Sequence, residues 1–122
     1  MSTLAERLRA GARDAAPYRI AAVELLIADP QSAWLDNDEF LEACVTDSID
    51  QDMALIDWEN ARDSFDSGAF DAPVGDGRAV ANQALLDFAI TLAEERFNLV
   101  FMNDQQRRLI VTALAQATQD QG

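Results

Sequence analysis

Histidine and lysine are both absent from this chain of 122 residues, so its nine basic side chains are all arginine. Without histidine, the chain lacks the side chain that most often transfers protons near neutral pH and binds transition metals. The single cysteine, Cys44, excludes both an internal disulfide and a zinc-binding cluster of thiolates. We therefore expect no catalytic residues, no metal site and no cofactor, and we predict that the protein is not an enzyme.

Glycine is scarce too, and its five residues form none of the motifs that cradle phosphates or activate a serine. The nearest local pattern, Gly75-Asp76-Gly77, lacks the third glycine and the preceding strand of a dinucleotide-binding turn. The acidic residues that begin at Asp66 do not follow the spacing of a calcium-binding loop, since Gly68 and Phe70 occupy two ligand positions. A specific calcium site is therefore not predicted.

Long apolar runs are also missing. The longest one, from Ile20 to Ala28, is interrupted by Glu24 and is too short to span a membrane. The first residues are charged and helix-like, unlike a secretory signal. These features predict a cytoplasmic protein with no membrane partner, in which Cys44 is a reduced, buried thiol.

Hydrophobic residues nevertheless make up 49% of the chain, enough to offset the ordering entropy of a fold despite a net charge of -13. At this length one core suffices, so we predict a single domain over residues 1–122. Apolar residues recur at intervals near 3.6 in most segments, which predicts an all-α fold, a compact bundle of five to six helices. Residues 98–102, with Leu99-Val100-Phe101, suit either a short extended segment or a tight buried turn.

Local signals predict the helix ends. Thr3 and Glu6 have the spacing of a capping box, and Pro17 suits the first turn of a second helix. The first predicted helix ends at about residue 14, and the second covers 18–28. A short third helix follows the capping pair Asp36 and Glu39. The fourth covers 49–65, the fifth covers 78–97, and the last begins at the cap Asn103–Gln106.

Two helices carry the clearest apolar faces, and in the last one the inner face is formed by Leu109, Ile110, Ala113, Leu114 and Ala117. In the fifth, Ala81, Leu85, Phe88 and Leu92 recur at intervals of four, three and four, typical of one buried face. The predicted core residues are Ile20, Val23, Ile27, Leu85, Phe88, Leu92, Ile110 and Leu114.

The negative charge is concentrated in one region, residues 36–77. This acidic region contains thirteen acidic residues and only one arginine, Arg62, whereas the segments on either side are nearly neutral. In a helix over 49–65, the side chains of Asp52, Glu59, Asp63 and Asp66 would form one stripe about 21 Å long. The other candidate binding residues precede it and are Asp36, Asp38, Glu39 and Glu42.

These patterns favour a binding protein whose acidic region docks on a basic surface of another protein, such as a nucleic-acid-binding protein or a nuclease. In size and charge layout alone, the chain resembles DNA-mimic inhibitors such as anti-restriction and anti-CRISPR proteins and nuclease immunity proteins. Direct binding to nucleic acid is not predicted, because the arginines are scattered among acids.

The alternative is a structural or assembly module that oligomerises, for instance as a homodimer, or packs on a helical partner. Its contacts would be spare apolar ridges such as Ala54, Trp58, Ala61 and Phe65. A third reading of the acidic stripe is that it only keeps the protein soluble.

Overall fold

The computed structural model describes residues 2–48, 50–71 and 75–118. Within these ranges the chain forms six α-helices, one 3-10 turn and one pair of strands. In chain order they are α1 (Leu4–Ala12), α2 (Pro17–Ala28), α3 (Asp38–Cys44), β1 (Val45–Ser48), β2 (Met53–Ile56), α4 (Trp58–Asp66), α5 (Gly77–Ala93), the 3-10 turn (Leu99–Phe101) and α6 (Asp104–Ala117). The prediction of a mostly helical chain is confirmed, and the small two-stranded sheet is an element that was not predicted.

Several helix starts follow from local hydrogen bonding, as predicted. The Thr3 hydroxyl accepts a hydrogen bond from the backbone N–H of Glu6, whose side chain accepts one from Thr3 in return. Asn103 and Gln106 form the same reciprocal pair at the start of α6, and Pro17 is the first residue of α2. At α3 the cap is Asn37 and not Asp36, since the Asn37 side chain accepts from the Phe40 N–H.

The predicted helix over 49–65 is replaced by a β-hairpin followed by a shorter helix. Strands β1 and β2 pair antiparallel, with Val45 opposite Ile56 and Ser48 opposite Met53. Helix α4 begins only at Trp58, where the Asp57 side chain caps it. Helix α1 packs directly on β2, which buries Ala54 and stabilises the extended backbone there. The segment near 98–102, where an extended link and a tight buried turn were both open, contains the 3-10 turn, with Phe101 exposed.

The core lies among α1, α2, the hairpin, α3, α4 and α5. Three aromatic side chains meet within it, with ring centroids 5.4 Å apart for Trp34 and Phe70 and 5.8 Å apart for Trp34 and Phe40. The Trp34 indole N–H donates to the Asn82 carbonyl at 2.8 Å, so its polar atom is satisfied. The largest fully buried side chains are those of Phe40, Leu8, Leu26, Leu86, Ile90 and Cys44.

The burial of α5 and α6 differs from the prediction. Helix α2 packs on α5, whose buried face is formed by Leu86, Ala89, Ile90 and Ala93. The predicted face therefore lies at the edge of the contact, with Leu85 and Leu92 half-buried and Ala81 and Phe88 exposed. Among the predicted core residues, Val23 is buried, four are half-buried, and three are exposed. The half-buried residues are Ile20, Ile27, Leu85 and Leu92; the exposed ones are Phe88 (40%), Ile110 (37%) and Leu114 (47%).

Of the helices that the structure describes, none has both the length and the apolar character needed to cross a membrane.

Candidate functional site

All eight predicted binding residues have exposed side chains. Four of them belong to α3 or the turn before it, where Asp38 and Glu39 occupy the first helical turn. Carboxylates at this end of a helix interact favourably with the helix dipole, so their charge is tolerated locally. Helix α3 contacts α4, which carries the next group of acids. We call the exposed carboxylates of these two helices the acidic surface: Asp38, Glu39, Glu42, Glu59, Asp63 and Asp66.

The predicted stripe is retained over three of its four residues. Glu59, Asp63 and Asp66 lie on α4 at intervals of four and three, so they share one face over about 10 Å. Asp52 is not on this helix. It lies in the hairpin turn with a backbone φ of 56°, and its carboxylate accepts a hydrogen bond from the Ser2 hydroxyl. A continuous 21 Å stripe is therefore a wrong prediction.

Arg62 is the one positive charge of the acidic region, and its guanidinium is directed toward α5. It forms ion pairs with Glu94 at 3.0 Å, Asp87 at 3.3 Å and Asp66 at 3.4 Å. It also donates a hydrogen bond to the Thr91 hydroxyl. The bonds to Glu94, more than any other contact, raise the pKa of Arg62. Arg62 therefore links α4 to α5 and neutralises charge there.

The remaining acids of α4 have no such counterion. Among the described residues, Glu59 and Asp63 form no ion pair, and both side chains are exposed. The same holds for Glu39 and Glu42 on α3. These carboxylates are therefore exposed negative charges that the described part of the chain does not neutralise.

The hairpin acids are engaged with α1, an arrangement that the sequence did not indicate. The Arg7 guanidinium donates two hydrogen bonds of 2.8 Å to the two carboxylate oxygens of Asp47. This bidentate pair lowers the pKa of Asp47 below its usual value. A second bidentate pair joins Arg9 of α1 to Glu24 of α2. Arginines of the N-terminal segment thus hold structural contacts.

The described residues contain no group of three or more histidine, cysteine or acidic side chains arranged to hold a metal ion. Cys44 is buried, and burial, with a smaller contribution from Asp57, raises the pKa of its thiol to about 11. A thiol with this pKa is a poor nucleophile at neutral pH, because very little of it is ionised.

Comparison of the chain with protein-family models, with curated proteins and with solved structures gives no match.

Proposed function

We propose that this chain is a non-catalytic binding protein that docks its acidic surface on a basic surface of another protein. One observation carries the proposal: among the described residues, exposed carboxylates that form no ion pair cluster on α3 and α4, while the single arginine of the acidic region is held against α5. An electrostatic field of one sign speeds association with an oppositely charged partner, and close charge pairs then select it.

The proposed partner is a protein whose basic surface normally holds nucleic acid, such as a nuclease. Successive carboxylates on α4 are separated by about 5–6 Å along the helix axis, of the same order as the phosphate spacing in a nucleic-acid strand. Such a partner would be inhibited, because the acidic surface and the nucleic acid compete for the same cations. This is the strategy of DNA mimics, and it needs no catalytic group on the inhibitor.

The ridge Ala54, Trp58, Ala61 and Phe65 does not offer an assembly surface. Its first three residues are buried in the chain's own core, and Phe65 packs partly buried against that core. Any self-association must use another surface.

The test begins with affinity capture of a partner from the native host and continues with association rates. Replacing Glu59→Gln and Asp63→Asn should slow association with that partner by about tenfold or more, and raising the salt from about 0.01 M to 0.15 M should slow the parent chain strongly. A DNA duplex should compete with the parent chain for the partner. Folding of the variant is monitored by circular dichroism.

A matched control changes the net charge equally on a distant helix, with Gln105→Lys and Thr112→Lys on exposed positions of α6. This variant should retain most of the association rate, because its acidic surface is intact. Equal effects of the two variants would mean that only net charge matters. A partner that binds the Glu59→Gln, Asp63→Asn variant as fast as the parent, with no response to salt, would contradict docking through the acidic surface.

A further inference from the structure

Helix α6 has an apolar stripe that the rest of the chain does not cover. Ile110, Ala113, Leu114 and Ala117 recur at intervals of three, one and three, so they lie on one side of the helix. Every described residue of α6 is exposed, including Ile110 at 37% and Leu114 at 47%. A helix of 14 residues in water gains little stability from propensity alone, so its apolar face normally has a partner.

Helix α5 has a second uncovered apolar face, opposite the one that packs on α2. Ala81, Ala84 and Phe88 are exposed there. The Phe88 ring also packs on Phe97, with centroids 5.4 Å apart, and both rings remain more than one-third exposed. Helix α5 is therefore apolar on two sides, of which the chain's own core uses one.

Helix α6 leaves this face uncovered in its own chain, and the connection between the two helices is a tight turn. Asn98 adopts a left-handed conformation with φ 56°, and the 3-10 turn follows it. The Arg107 guanidinium donates to the Leu99 carbonyl at 3.0 Å, which ties the first turns of α6 to the connection. Pro17, Tyr18, Leu92 and Leu99 line a shallow groove of about 320 Å³ beside Arg107, where α2 and α5 meet the base of α6.

Charge favours a second copy of the chain on these faces. Residues 78–118 contain four arginines and four acids, so this part has no net charge in a chain of net charge -13. Two copies that meet here join segments of no net charge. Where the acidic region reaches α5, Arg62 pairs with both Asp66 and Asp87, which reduces the repulsion there. A basic partner, in contrast, is drawn to the acidic region 36–77.

We infer that two copies of this chain form a two-fold dimer in which the α6 stripe of each copy covers the outer face of α5 in the other. A two-fold arrangement covers both faces of both chains at once, which one foreign helix cannot do. The two faces contribute Phe88, Ile110 and Leu114. With the neighbouring Val80, Phe97, Phe101, Leu109 and Val111, the large exposed apolar side chains of residues 80–114 present roughly 700–800 Å² in each copy, of which the contact would cover a part. The inference is independent of docking through the acidic surface.

Sedimentation velocity at tens of micromolar tests the dimer. The parent chain should sediment as a species with twice the mass of one chain, which is 13.4 kDa. Leu114→Glu and, separately, Phe88→Glu should weaken the dimer by at least about 100-fold, because each places a charge at the centre of the contact. Both positions are exposed in the single chain, so circular dichroism of each variant should stay that of the parent.

Thr112→Glu is the matched control, since it adds the same charge on the opposite side of α6. It should remain a dimer. A monomeric parent chain at this concentration overturns the inference, and so does a dimer that survives Leu114→Glu. If the parent is monomeric and Leu114→Glu lowers its melting temperature, α6 packs on its own chain in solution and the dimer is again excluded. None of these outcomes bears on the acidic surface, which the three substitutions leave unchanged.

Discussion

Replacing Gly11 by alanine should destabilise the protein, although the same change stabilises most helices. Gly11 lies within α1, where glycine costs about 1 kcal/mol relative to alanine. A Cβ atom at this position, however, would overlap the carbonyl oxygen of Ala54 and lie 2.9 Å from the Leu55 Cδ2 atom. The absence of a side chain is what allows α1 to pack directly on β2.

The gain in helix propensity and the steric overlap oppose each other, and their magnitudes decide whether the free energy of unfolding rises or falls. Overfilling a packed contact costs about 1–3 kcal/mol, and this contact is at the severe end because a backbone carbonyl cannot rotate away. After subtracting the gain in helix propensity, we expect a net loss of about 2 kcal/mol in the free energy of unfolding. For a chain of this size that loss lowers the melting temperature by roughly 8 °C.

Urea unfolding followed by circular dichroism measures the loss, with Gly77→Ala as the control. Gly77 begins α5 with an ordinary helical φ, and a Cβ atom there would meet nothing within 4 Å. That variant should be neutral or stabilised by up to about 1 kcal/mol. A Gly11→Ala protein as stable as the parent, or more stable, would refute the close packing of α1 on β2.

Two further predictions concern single buried or half-buried groups. Arg62→Gln should lower the free energy of unfolding by about 1–2 kcal/mol in urea titrations, since Glu94 and Asp87 lose their shared cation. The double variant with Glu94→Gln should lose less than the sum of the two single losses, and a fully additive loss would contradict the coupling of the two residues. Cys44 should react with a thiol reagent only after unfolding, and rapid labelling of the native chain at pH 8 would show instead that the thiol is accessible. The free energy of unfolding of the parent, relative to Cys44→Ala, should fall as pH rises from 9.0 toward about 11, because the thiol ionises at lower pH in the unfolded chain than in the folded one.

Helix ends were predictable because their causes are local. The bonds between Thr3 and Glu6 and between Asn103 and Gln106 join residues three apart, so the residue types alone indicate them. The concentration of exposed acid in residues 36–77 was equally predictable, since carboxylates without partners stay in water. The set of acids that share one helix face was not predictable in the same way, because Asp52 lies in the hairpin turn and not in the predicted helix.

The hairpin depends on contacts that the sequence does not show directly. Val45 and Ile56 pair across eleven positions, and β2 is covered by a helix from the start of the chain. The β-branched Val45 and Thr46 were the local sign of a strand, but the apolar spacing of Ile49, Met53 and Ile56 suits a helix equally well. Gly11, which helix propensity alone disfavours within α1, is where helix and strand approach each other.

The sequence by itself determined that α5 and α6 are helices with apolar faces, since a period near 3.6 is a property of the local chain. It did not determine which face is covered. Helix α5 offers two, and α2 packs on the side of Leu86 and Ile90 while Phe88 remains 40% exposed. Periodicity reports that a face is apolar but carries no information about its neighbour, so only the tertiary structure decided between the core face and the face left open.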